Sequence, residues 1–130
     1  MRARLISNLF HRFWLVLLTA FVLAGPAHAR GPLEGLDAVQ IDQLPREAQQ
    51  TMALIRQGGP FPYAKDGAVF GNYEGVLPKQ KRGYYHEFTV KTPRARNRGA
   101  RRIVSGGDPR SSGEYYYTSD HYKTFRRIHD

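Results

Sequence analysis

From Tyr84 onward, apolar and polar residues alternate with a period of two. "YYHEFTVK", "RRIVS", "EYYYT" and "TFRRI" are separated by short turn-forming segments. Alternation of this kind belongs to strands with two unlike faces, and four such runs close together require an antiparallel sheet. Upstream, "QLPREAQQTMALIRQGG" has the other period. Leu44, Ala48, Met52 and Ile55 recur at helical spacing, Pro45 suits the first turn, and Gly58 and Gly59 close it. One helix ahead of a set of strands predicts an α+β fold, with the N-terminal helix packed on one face of a twisted antiparallel sheet. Between them, "GGPFPYAKDGAVFGNYEGVLPKQKRG" is rich in glycine and proline. It carries turn signals at Asp66-Gly67 and Pro78 and short extended pieces such as "AVF".

The start of the chain has a different character. Arg2, Arg4 and Arg12 precede the uncharged run "FWLVLLTAFVLAG" and the small-residue ending Ala27-His28-Ala29. This is the pattern of a signal peptide over residues 1–29, cleaved after Ala29. The apolar run is too short to make a stable membrane anchor the better reading. Residues 30–40 read as a flexible lead-in and 41–130 as the working domain. Cleavage leaves 101 of the 130 residues and removes three of the 20 Lys and Arg but none of the 11 acids, so the charge falls from +9 to +6. A small, basic, exported protein meets anionic partners, and charge does not choose among nucleic acid, lipid and polysaccharide. Cysteine is absent. Stability therefore has to come from the core, to which the eight Tyr and the four Phe that follow residue 29 contribute large areas.

The parity of "YYHEFTV" places Tyr84, His86, Phe88 and Val90 toward the core and Tyr85, Glu87 and Thr89 on the open face. In "RRIV", Ile103 turns inward and Arg102 faces outward with Val104. Glu87 and Arg102 on neighbouring strands can be a plain cross-strand ion pair. His121, in "TSDHY", falls in a turn between the last two strands. No metal-ligand spacing surrounds it, and no phosphate-binding glycine loop, serine elbow or cysteine nucleophile occurs in the sequence. What remains is a carboxylate, an imidazole and the arginine-rich run "TPRARNRGARRIV". This set suits RNA. A carboxylate can take the proton of a ribose 2′-hydroxyl, an imidazolium can protonate the departing 5′-oxygen, and arginines can hold the phosphate between them. No metal or other cofactor is required. DNA, lacking the 2′-hydroxyl, is not a substrate. The alternative is a non-catalytic basic secreted protein that binds RNA or membranes through 94–102.

The stretches "LPREAQQTMALI", "GGPFPYAKDGAVFGNYEGVLP", "GYYHEFTVKTP", "RNRGARRIV" and "YYYTSDHYKTF" together resemble the small secreted guanyl-specific bacterial ribonucleases, the family that includes barnase, and its streptomycete members most closely. The resemblance covers about residues 41 to 130. It implies the microbial ribonuclease fold and an endoribonuclease that cuts single-stranded RNA 3′ to G, first to a 2′,3′-cyclic phosphate and then to a 3′-phosphate. It also implies roles: Glu87 as general base, His121 as general acid, Arg98 and Arg102 on the phosphate, and Tyr122 beside the base and phosphate. The guanine site falls on Phe70, the backbone N–H groups of Gly71, Asn72 and Tyr73, and the carboxylate of Glu74. Guanine presents N1–H and N2–H side by side to such a carboxylate, whereas adenine offers a lone pair at N1. By the same resemblance the enzyme is a monomer, and its producer is expected to hold an acidic barstar-like inhibitor. Tyr73 stands where relatives commonly carry Arg, which removes a cation near the base or phosphate and offers a ring that can close over the guanine by stacking. Gln40 stands at one half of their disulfide. Arg94, Arg96 and Arg101 have no family role and read as a basic surface that attracts substrate.

Overall fold

A computed structural model of the chain describes residues 35–130. The signal peptide assigned to 1–29 lies outside the described residues. Six strands form a single sheet: β1 (Asp37–Gln40), β2 (Ala68–Phe70), β3 (Tyr85–Thr89), β4 (Arg102–Gly106), β5 (Tyr115–Thr118) and β6 (Arg126–His129). Their spatial order is β1-β6-β5-β4-β3-β2. The single α-helix of the described residues, α1 (Arg46–Gln57), follows β1 after a short 3-10 turn.

The helix begins and ends where its residue chemistry dictates. Pro45 occupies the N-cap, where no backbone donor is needed. At the other end Gly58 adopts a left-handed φ of 84°, and its N–H donates to the carbonyls of Leu54 and Ile55. Only glycine takes that conformation without a steric cost. Ala48, Met52 and Ile55 line the buried stripe, and they meet Phe88, Val90, Ile103, Tyr115 and Tyr117 from the sheet. The Thr51 hydroxyl lies 3.1 Å from the Thr89 carbonyl, tying the helix to the end of β3.

Three features depart from the sequence reading. The lead-in assigned to 30–40 ends in β1, which pairs in parallel with β6 and sets Val39 opposite Ile128. The sheet is therefore mostly, not wholly, antiparallel. A four-residue strand with a single buried side chain is too short for alternation to reveal it. Secondly, the face opposite the helix is not open. Leu77, Tyr85, Val104, Tyr116 and Phe125 form a second core there, as the β2–β3 and β5–β6 connections fold back over the sheet. Tyr85, Val104 and Arg102 are therefore buried, although their parity is as expected. Finally, Tyr84 packs against this second core rather than beside Phe88. His86 is only half-buried and joins neither core. β3 begins one residue later than the alternating run, which removes Tyr84 from its register.

Candidate active site

The second core places the catalytic candidates. Glu87, at the middle of β3, stands opposite Val104 of β4 and Ala68 of β2. Its carboxylate is only 13% exposed and has two donors. Arg98 Nη2 donates to Oε1 at 3.1 Å, and the Tyr122 hydroxyl donates to Oε2. Arg98 comes from the loop between β3 and β4, and Thr89 fixes it in place. The Thr89 hydroxyl accepts from Arg98 Nε at 3.1 Å and from Nη2 at 2.9 Å. Thr89 shares the parity of Glu87, which was the signal for its presence. Read from parity alone as one more outward-facing threonine, it gave no reason to be assigned a role; the structure buries it.

Arg102 is the least solvated cation of the site, 3% exposed. One nitrogen, Nη1, donates to the carbonyls of Gly99 at 2.9 Å and Arg101 at 2.8 Å. Its Nε is buried without a partner among the described residues. Its positive charge also acts on the Tyr122 phenol, opposing the upward pull of burial and Glu87. The arginine run thus splits. Arg98 and Arg102 turn into the site, while Arg94 and Arg96 are exposed to solvent and Arg101 is half-buried.

His121 and Tyr122 sit on the β5–β6 loop in consecutive left-handed conformations, φ 55° and 72°. Such backbone costs on the order of 1–3 kcal/mol per non-glycine residue and persists only where neighbours hold it. The holders are visible. The His121 amide donates to the Ala100 carbonyl at 3.0 Å, and the Tyr122 amide donates to the Thr118 hydroxyl at 3.1 Å. Asp120 accepts from the Thr124 amide at 2.9 Å and from the Thr124 hydroxyl at 2.6 Å. Those bonds hold the Asp120 carboxyl at about 2, below its ordinary value. Thr118, Asp120 and Thr124 were not among the residues assigned a role from sequence, because a polar turn gives no sign of which φ it must hold.

The His121 ring is exposed, and its centroid lies 4.8 Å from that of Tyr122. On its other side Tyr122 stacks on Phe70, with centroids 4.8 Å apart and planes 28° from parallel. Burial, then the hydrogen bond to Glu87, raises the Tyr122 phenol well above its ordinary value, so it remains a donor. Glu87, Arg98, Arg102, His121, Tyr122 and Phe70 are thus brought to one place by three strands and two connecting loops.

The loop after Phe70 forms the other half. Asn72, with φ 50°, locks it: its Oδ1 accepts from the Leu77 amide at 3.1 Å, and its Nδ2 donates to the Leu77 carbonyl at 2.9 Å. Glu74 is exposed and forms none of the ion pairs found among the described residues. A braced loop presenting a carboxylate and backbone amides suits a planar ligand that offers paired donors beside an acceptor.

The comparisons with known proteins agree. Residues 28–129 match the ribonuclease family. The chain is 53% identical over 96 residues to the guanyl-specific ribonuclease St of Saccharopolyspora erythraea, covering 74% of this chain and 91% of the relative. It is 56% identical over 90 residues to guanyl-specific ribonuclease Sa of Kitasatospora aureofaciens, covering 69% and 91% respectively. Its fold is similar to that of ribonuclease Sa2 solved with mononucleotides, with a TM-score of 0.69 at 52% identity, over 73% of this chain and 95% of the other. A second Sa2 structure, holding guanosine-2′-cyclophosphate, gives 0.66 at 51% identity, over 72% and 96%. With the geometry described above, these likenesses establish that the chain belongs to the guanyl-specific bacterial ribonuclease family.

Proposed function

We propose a division of labour at this site for the family's reaction. The chain is a guanyl-specific endoribonuclease whose first product is a cyclic phosphate. Glu87 takes the proton of the 2′-hydroxyl. Arg98 and Tyr122 hold its carboxylate in position, one donor on each oxygen. The freed oxygen attacks the adjacent phosphorus, while Arg98 and Arg102 stabilise the charge that gathers on the equatorial oxygens. Arg102, being nearly dry, acts with little screening. His121 protonates the departing 5′-oxygen, and its exposed ring is free to meet it. Water then opens the 2′,3′-cyclic phosphate with the two roles exchanged, giving a 3′-phosphate. Phe70 supports the guanine, the amides of Gly71, Asn72 and Tyr73 meet its O6, and Glu74 accepts its N1–H and N2–H.

The observation that carries this reading is the convergence of Glu87, Arg98, Arg102 and the His121 loop about the Tyr122 hydroxyl. Digestion of homopolymers and mixed RNA in EDTA tests it. Cleavage after G, with 2′,3′-cyclic phosphate ends, is the expected result. Intact RNA that merely shifts in a gel would mean a binder. Single-stranded RNA is the preferred substrate and DNA is spared, because it lacks the internal nucleophile. The protein acts as an exported monomer without a stable membrane anchor, after cleavage behind Ala29. The basic surface suits an acidic protein inhibitor in the producing cell.

A further inference from the structure

Two sets of side chains at the rim of the site play no part in the reaction as written. Tyr73 is 86% exposed, the most exposed large apolar side chain among the described residues. The run "PKQKRG" carries Lys79, Lys81 and Arg82, all exposed. The two features are joined, since Arg82 Nη1 donates to the Tyr73 hydroxyl at 3.1 Å. The ring also has a seat. It lies over Gly71, where a Cβ would come within 2.4 Å of a ring carbon. An aromatic side chain adrift in solvent needs no glycine beneath it. This one rests against a loop that Asn72 braces.

A bare aromatic face with a guanidinium at its edge, on a basic rim, is the arrangement that single-stranded RNA uses. The ring stacks on a base, and the cations meet the phosphate. We propose that Tyr73 and Arg82 form a subsite for a nucleotide flanking the target guanosine, with Tyr73 stacking on its base and Arg82 holding its phosphate. The subsite rests on the assignment of Phe70–Glu74 as the guanine loop, because that loop is what carries Tyr73 to the substrate. Stacking accepts any base, so the subsite contributes dependence on substrate length rather than a second letter of sequence specificity.

The test measures kcat/KM for hydrolysis of guanosine 2′,3′-cyclic phosphate and for cleavage of two single-G oligonucleotides. One is extended only on the 5′ side of G and the other only on the 3′ side. The quantity of interest is the ratio of oligonucleotide to cyclic nucleotide. In Tyr73→Ala this ratio should fall about tenfold on one of the two extended substrates, which identifies the side. Gly71→Ala, which displaces the ring without removing it, should lower the same ratio. Arg82→Gln should lower it a few-fold and weaken its dependence on salt. A ratio within about twofold of wild type on both substrates in Tyr73→Ala overturns the subsite. Glu74→Gln separates this failure from that of the guanine loop: if it keeps the full preference for guanosine over adenosine cyclic phosphate, the loop assignment falls and the subsite falls with it.

Discussion

The two faces of the sheet are both buried, but they are built from different materials. The helix face is sealed mostly by aliphatic and aromatic groups, with Ala48, Met52, Ile55, Val90 and Ile103 fully buried. The opposite face is covered by loops and is largely aromatic. It is also laced with polar ties. The Tyr84 and Tyr116 hydroxyls donate to Glu114, and that of Tyr122 donates to Glu87. It holds the nearly dry Arg102 as well. The first face supplies stability through transfer of apolar area from water. The second face gives up some of that simplicity to hold charges in fixed positions. Activity and stability should therefore separate by face.

The widest separation is expected at the reacting groups. Glu87→Ala and His121→Ala should each lower kcat by about 10²–10⁴-fold, with the thermal midpoint nearly unchanged. Initial rates and a melting curve on the same preparations check this, and full activity in either variant would remove the role given to that residue. The wild-type rate should be bell-shaped in pH, one limb set by a base that must be free and the other by an acid that must hold its proton.

Arg102 should break the separation. Its parity suggests an outward-facing side chain whose removal spares the fold, but the guanidinium is buried and satisfies the carbonyls of Gly99 and Arg101. Arg102→Ala should therefore lower kcat and also cost about 1–3 kcal/mol of stability through those carbonyls, as measured by urea unfolding. Ile103, its neighbour on the other face, gives the control. Ile103→Ala should cost about 2–5 kcal/mol yet leave kcat per folded molecule close to wild type.

The smallest effect concerns acid stability. Bonding to Thr124 and Thr118 holds Asp120 at about 2, below the ordinary value of 3.8. A depressed carboxyl stabilises the fold above its unfolded value, and that contribution is lost as pH falls from about 4 toward 2. Asp120→Asn should thus be less stable than wild type near neutrality, with the gap narrowing at low pH. Because His121 follows directly, kcat should fall in this variant more than KM rises. A constant stability gap down to pH 2 would show that the carboxylate charge is not what holds the loop.

Much of this was legible in the sequence. The helix bounded by Pro45 and Gly58, and the strands around Glu87, Ile103 and Tyr116, follow from periodicity, which burial on one side imposes. The alternation of β3 and β4 correctly put Glu87 and Arg102 on one face, and the ordered motifs brought in Arg98, His121 and Tyr122. The second core was hidden because period two tells which residues share a face but not what covers it. Leu77 and Phe125 reach it from irregular connections that have no period. The ties of Thr89, Thr118 and Asp120 were hidden for a related reason. They depend on backbone angles that neighbouring chain imposes.

The parallel pairing of β1 with β6 has a consequence for biogenesis. Among the described residues, the first strand finds its one lateral partner in residues 126–129, the strand most distant from it in sequence. A nascent chain emerging from the ribosome cannot pair its first strand until residues 126–129 have been added. His121 lies shortly before that strand, so a chain that stops short of this residue lacks both the closing strand and the proposed proton donor. The order of elements makes the finished sheet depend on the strand most distant in sequence from the first.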